Sequence, residues 1–228
     1  MKIQAIMMMK NDVKRMQFVL ENFFKWNPDI PVLVYNCGGL SPKQEIAQFK
    51  NATLIDYDDI WHKRGPNGIG SFDPRWFQLM FEYGLNSYYT HTLFLETDVL
   101  TTNTITKIPK YDMSGVLNFC GQNEFILYQM LNLKIQQHSG CGGTIYRTEF
   151  FEKCKNNLEL VNSLYLQRPQ NFFQDLVMTI LGRVSGCSYG HWEECSDIRG
   201  HWEPDQNGVL QFKIPPSHPA TFIHSLKV

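Results

Sequence analysis

The chain has 228 residues, 43% of them hydrophobic and 14% aromatic, which is enough apolar material for one large folded domain and too much for a disordered segment. Its 21 basic and 22 acidic residues nearly cancel, so it lacks the basic field that a nucleic-acid backbone requires. No apolar run reaches the length of a membrane span, the first residues lack a signal-peptide pattern, and six cysteines without a Cys-x-x-Cys pair read as reduced thiols of a soluble, cytoplasmic protein.

Residues 3–9 are an apolar run, broken only by Gln4, that predicts a buried strand, and Lys10-Asn11-Asp12 ends it and offers a helix cap. From Met16, the residues Val19, Leu20, Phe23 and Trp26 recur at helical spacing until Asn27-Pro28. A second apolar strand over 31–35 leads into Asn36-Cys37-Gly38-Gly39, and Ser41-Pro42-Lys43-Gln44 has the form of a capping box with proline at the first helical position. Residues 51–57 predict a third strand. This βαβαβ opening implies a parallel sheet covered by helices, the framework of a nucleotide-binding half-domain. Met8, Lys10 and Asn36, at the carboxyl ends of its first two strands, are therefore candidates for contact with a nucleotide.

Residues 58–74 form a long loop whose stretch from His62 to Gly70 is rich in glycine and basic residues, a composition that suits either a diphosphate cradle or a plain surface loop. A helix follows over 74–86, with Arg75 in its first turn. The chain then reads Thr92-Leu93-Phe94-Leu95-Glu96-Thr97-Asp98-Val99-Leu100. An apolar strand here stops abruptly at two carboxylates spaced i, i+2, at the edge where ligands bind in open α/β sheets. Period-2 alternation sends both acids to one side, where they can face a hard cation carrying a phosphate-containing ligand. A solvated strand end has the same pattern.

Residues 112–118 predict a further strand, followed by a segment rich in Gln and Asn. In Gly140-Cys141-Gly142-Gly143-Thr144-Ile145-Tyr146-Arg147 the glycines permit close backbone approach, and Thr148 can cap the next helix. A helix over 169–181 has Gly182 as its stop and Asp175 in its first turns, off the apolar stripe. The tail repeats Gly190-His191-Trp192-Glu193 as Gly200-His201-Trp202-Glu203, and the indoles suit either sugar stacking or a core plug. Cys187-x3-His191-x3-Cys195-x5-His201 mixes zinc-type ligands at an atypical spacing, and buried thiols are the plainer reading. Residues 218–227 read as a strand ending in a His and a Lys.

In this order, the pieces resemble the GT-A glycosyltransferases over nearly the whole chain, with Glu96-Thr97-Asp98 similar to that family's Asp-x-Asp motif. The resemblance implies an α/β fold of the GT-A, nucleotide-diphospho-sugar transferase-like type, with a mostly parallel central sheet flanked by helices. It implies a single domain over 1–228, in which 1–100 is the nucleotide-binding half and 101–228 the acceptor-side half. A divalent cation, Mn²⁺ or Mg²⁺, would be held by Asp98, His224 and Glu96, the last directly or through water. On the donor side stand Met8, Lys10, Asn36, Arg75, Thr97 and Lys227, and on the acceptor side Trp192, Trp202 and Glu193. Asp175 of the Gln174-Asp175 pair takes the place of a general base.

The implied activity is inverting transfer of a hexosyl or deoxyhexosyl unit from a nucleotide sugar, a UDP-sugar first, to a glycan hydroxyl. The length is similar to that of small GT-A enzymes encoded by large algal viruses, and an end so soon after Lys227 suits a domain of a longer polypeptide. Two rivals remain at this point. One is a sugar-1-phosphate nucleotidyltransferase, against which Met7-Met8-Met9-Lys10-Asn11-Asp12 lacks a glycine signature. The other is a non-catalytic glycan- or nucleotide-binding module on the same fold.

Overall fold

The computed structural model describes residues 1–57, 73–119, 129, 131–135, 137–167, 174–204, 210–213 and 220–225. The glycine-rich basic stretch, residues 168–173 and Lys227 lie outside them, as do the side chains of Trp202 and His224. In chain order the elements are β1 (Ile3–Met9), α1 (Val13–Trp26), β2 (Val32–Asn36), α2 (Lys43–Ile46), β3 (Ala52–Asp56), α3 (Pro74–Gly84), β4 (His91–Phe94) and β5 (Val99–Thr101). They continue with β6 (Met113–Phe119), β7 (Gln137–Arg147), α4 (Thr148–Cys154), α5 (Glu159–Gln167), α6 (Gln174–Val184), β8 (Tyr189–His191), β9 (Cys195–Pro204), β10 (Leu210–Lys213) and β11 (Phe222–Ser225).

The expected central sheet has seven strands in the order β3-β2-β1-β4-β7-β6-β8. β1 runs parallel to β2 and β4, β2 to β3, and β6 to β8, while β7 is antiparallel to both of its neighbours. A second sheet, β10-β9-β11-β5, packs beside it. Alternation along β1 explains why its sequence is apolar apart from Gln4. Ala5, Met7 and Met9 join one core with Met16, Val19, Leu20 and Phe23 of α1. Ile6 and Met8 join the other, with Trp76 and Phe77 of α3, Phe150 and Phe151 of α4 and Leu176 of α6. A strand covered on both faces has no solvent side to make polar. Among the described residues, no helix is long and apolar enough to cross a membrane.

Three expected helix signals are corrected by tertiary partners. Ser41 does not cap α2, because its hydroxyl donates to Asp56 Oδ2 at 2.7 Å, and the short helix starts after Pro42. Thr148 begins α4 without capping it and donates instead to the Tyr89 carbonyl at 2.8 Å. Gly182 does not stop α6; it lies inside the helix, where a β-carbon would come 2.9 Å from Phe150 Cε2, and the left-handed turn falls at Gly186, φ 72°.

The strand order fixes where a ligand can sit. From β1 the chain moves outward through β2 to β3, then returns to place β4 on the other side of β1. The loops leaving β1 and β4 therefore border the crevice where the sheet reverses direction, the usual ligand position in such sheets.

Candidate functional site

The acidic pair stands at that crevice. Leu95 N donates to Ile6 O at 2.9 Å, completing the β4–β1 pairing, and Val99 N to Glu96 O at 3.3 Å then closes a turn into β5. Glu96 and Asp98 thus lie in a tight turn and not in an extended strand, which corrects the expectation that alternation aims both the same way. The consequence is unequal burial: Glu96 and Thr97 are half-buried, whereas Asp98 is 1% exposed.

β5 leaves the main sheet and pairs antiparallel with β11, with His224 opposite Val99, Ile223 opposite Leu100 and Phe222 opposite Thr101. This ladder brings the His224 backbone beside the residue that follows Asp98. Among the described side chains, no group of three His, Cys, Asp or Glu forms a metal-binding cluster.

β11 is tethered by Glu194, through partners that no local pattern in the sequence connects. Its carboxylate is 3% exposed and accepts from Thr106 N at 2.8 Å, Thr106 Oγ1 at 3.0 Å, Lys107 N at 2.6 Å and Thr221 Oγ1. The Glu194 carbonyl accepts from Phe222 N at 2.8 Å. Burial acts to raise the pKa of this acid, but the bonds from Thr221, Thr106 and Lys107 outweigh it and hold the group below the usual carboxylate value.

The donor-side candidates divide. Lys10 is half-buried directly after the carboxyl end of β1. Met8, 3% exposed, turns its side chain into the core with α3, so only its backbone borders the crevice. Asn36 is 2% exposed, and its Nδ2 donates to Asp56 Oδ1 at 2.9 Å and to Leu40 O at 3.3 Å. Its Oδ1 accepts from no described residue. The bonds from Asn36 and Ser41 keep Asp56 below the ordinary aspartate pKa. Arg75 grips the cap of its own helix, with Nε and Nη2 at 3.1 and 2.7 Å from the Asp73 carboxylate. The loops after β1 and β2 touch each other, because the Asn11 carboxamide occupies the space that a side chain on Gly39 (φ 89°) would need.

On the acceptor side, Trp192 is a core plug. It is 2% exposed, packs tilted against Phe222 with ring centroids 5.7 Å apart and donates from Nε1 to the Lys107 carbonyl at 3.2 Å, which corrects its assignment as a sugar platform. Glu193 is exposed and pairs with Lys110 at 2.8 Å and Lys107 at 3.7 Å, on the segment that enters the amino end of β6 rather than at the carboxyl edge. The backbone of Trp202 lies in β9, opposite Phe212 of β10, so the two Gly-His-Trp-Glu copies occupy unlike places. Cys187 and Cys195 belong to different cores, which removes the zinc alternative.

Asp175 opens α6 but is not off a buried stripe: every residue from Asp175 to Gly182 is buried. Asp175 is 9% exposed, and its carboxyl group lies against Gly140 near the start of β7. Thr179 Oγ1 donates to the Asp175 carbonyl at 2.9 Å and accepts from Ser139 N at 3.1 Å, locking the first turn of α6 to β7. Gly140 and Gly143 of β7 thus permit close approach, by Asp175 of α6 and by Phe222 of β11.

No protein-family model matches the chain, and no curated protein sequence matches it. Solved structures do. The galactosyltransferase LgtC, crystallised with donor and acceptor sugar analogues, is similar with a TM-score of 0.59 over 98% of this chain and 87% of its own, at 13% identity. The fold is that of the GT-A glycosyltransferases. The glycosyltransferase GlyE of Streptococcus pneumoniae TIGR4 is similar with a TM-score of 0.50, at 9% identity, over 85% of this chain and 45% of GlyE. The bifunctional glycosyltransferase WbbM matches at 0.50 and 8% identity, over 80% of this chain and 37% of WbbM. At such identities the shared property is the GT-A fold, and roles within it rest on the residues of this chain.

Proposed function

We propose that the chain is a metal-dependent glycosyltransferase that moves a monosaccharide from a nucleotide sugar, a UDP-sugar first, to a glycan hydroxyl in the cytoplasm. The observation that carries this reading is the buried Asp98, set at the sheet's reversal point beside a strand that presents His224 in register with Val99. Carboxylate and imidazole ligands suit Mn²⁺, and carboxylates alone suit Mg²⁺. Asp98 and His224 would hold the ion, with Glu96, half-buried in the same turn, as a further or water-mediated ligand. When bound, the cation supplies positive charge against the departing diphosphate.

The chain's own residues account for the remaining steps. The β1 and β4 loops receive the donor, with Lys10 placed for the phosphates, Thr97 beside the acids and the Asn36 acceptor at the nucleoside end. Lys227 is a second phosphate contact in this reading. The sheet of residues 1–100 is the nucleotide-binding half, and residues 101–228 shape the acceptor side, where Trp202 remains the stacking candidate. Asp175, in the first turn of α6, takes the proton from the acceptor hydroxyl, and an in-line attack of that kind inverts the anomeric centre.

The test is donor turnover. Purified protein with Mn²⁺ and a panel of nucleotide sugars is expected to release nucleoside diphosphate from at least one donor, since glycosyltransferases commonly leak donor to water. A panel in which every donor stays intact, with and without candidate glycan acceptors, contradicts the proposal.

A further inference from the structure

A pair of thiols outside the crevice is built for a different chemistry. The sulfurs of Cys154 and Cys187 lie 3.8 Å apart in a hydrogen bond within the core shared by α4 and α6. Cys154 is the last residue of α4, and Cys187 follows Gly186 just beyond α6. The residues next to them in sequence meet at one carboxylate. Asp112 accepts from Lys153 Nζ at 3.2 Å, the residue before Cys154, and from Ser188 N at 2.8 Å and Ser188 Oγ at 2.9 Å, the residue after Cys187. Asn157 Nδ2 donates to Ser185 Oγ at 2.8 Å, and Cys187 N donates to Gly182 O at 2.8 Å. Both chain segments are therefore held side by side whether or not the sulfurs are joined. A disulfide needs the sulfurs at about 2 Å, which asks only for a modest further approach of side chains already in contact.

We infer that Cys154 and Cys187 are an oxidation site at which hydrogen peroxide forms an intramolecular disulfide. The thiols differ in a way that sets the order of events. Cys187 is 6% exposed and Cys154 fully buried, so a small oxidant meets Cys187 first. The hydrogen bond between the sulfurs favours the thiolate at Cys187, with the Lys153 ammonium acting in the same direction against burial and the Asp112 carboxylate, whereas Cys154 is kept a thiol by that bond and by burial. The Cys187 thiolate attacks one peroxide oxygen, becomes a sulfenic acid and releases hydroxide. Cys154 sulfur then attacks Cys187 sulfur; the S–O bond breaks, and the oxygen leaves as water with the Cys154 proton. The hydroxide takes up the proton that Cys187 lost on ionising. In total two thiols and one peroxide give one disulfide and two waters. The bond would join the carboxyl ends of α4 and α6, the helix that carries Asp175 at its other end.

The experiment treats the full chain with hydrogen peroxide, unfolds it in a thiol-alkylating reagent and maps the digested peptides by mass spectrometry. The expected product is a Cys154–Cys187 linked peptide, two hydrogens lighter than its parts and released by dithiothreitol. With Cys154→Ser, Cys187 is expected to be trapped as a sulfenic acid or oxidised further, because its resolving partner is gone. Both cysteines recovered alkylated at peroxide levels that oxidise methionines of the same chain would overturn the inference. So would a disulfide joining either of them to another cysteine.

Discussion

Asp175 Oδ2 lies 2.6 Å from the position that a β-carbon on Gly140 would occupy, so α6 meets β7 at this point only because residue 140 has no side chain. Gly140→Ala should push the first turn of α6 off the sheet, at a cost of about 1–3 kcal/mol for overpacking. Transfer should fall while nucleotide binding at the β1/β4 crevice persists. Denaturant unfolding and nucleotide titration of the variant check both halves of this expectation.

Asp175→Asn keeps the shape and removes the basicity. If Asp175 is the base, transfer should fall by roughly 10²–10⁴-fold with donor affinity unchanged. Product analysis by NMR should then show the anomeric configuration opposite to the donor's. Retained configuration, or transfer at the parental rate in Asp175→Asn, would leave Asp175 as a packing residue of α6.

Trp192→Ala should act on stability. A fully enclosed indole that packs against Phe222 is expected to cost about 3–5 kcal/mol when truncated, read as a lower denaturant midpoint. Where the variant is still folded, its acceptor KM should match the parent's, because Trp192 does not face the crevice.

The fold should lose stability in acid through two buried histidines. Burial holds His91 at a pKa of about 4, with Arg147 adding to the effect, and burial alone holds His138 at about 4, against 6.5 for the free side chain. Both depressed groups favour the folded state above pH 6.5, and that contribution is lost as pH falls from 6.5 towards 4. At about 1.4 kcal/mol per pKa unit the loss is roughly 2–3 kcal/mol for each by pH 4. Glu194, also depressed, adds a loss in the same direction at lower pH, below its unfolded value. Urea unfolding across this range measures the slope, and His138→Gln should flatten the part above pH 4.

What could be read from the sequence was whatever local periodicity records. β1, α1 and α3 were legible because both faces of β1 and one stripe of each helix are apolar, and β4 because its run stops at an acid. Cap signals at Ser41 and Thr148 misled because Asp56 and the Tyr89 carbonyl, remote in sequence, compete for those hydroxyls. The unequal burial of Glu96 and Asp98 was hidden because the pairing of β5 with β11, not strand alternation, sets the turn. The tethering role of Glu194 was hidden, since its donors Thr106, Lys107 and Thr221 converge only in the fold. Trp192 and Trp202 share a tetrapeptide, and a tetrapeptide does not encode burial.

Calorimetric titration of a nucleoside diphosphate in the presence and absence of Mn²⁺, into the parent and into Asp98→Asn, tests the central claim most directly. Asparagine preserves the shape of the buried side chain and removes its charge. The account predicts Mn²⁺-dependent binding to the parent and its loss in Asp98→Asn, with both proteins unfolding as cooperative single transitions. Equal binding to both proteins, or binding indifferent to Mn²⁺, would contradict it.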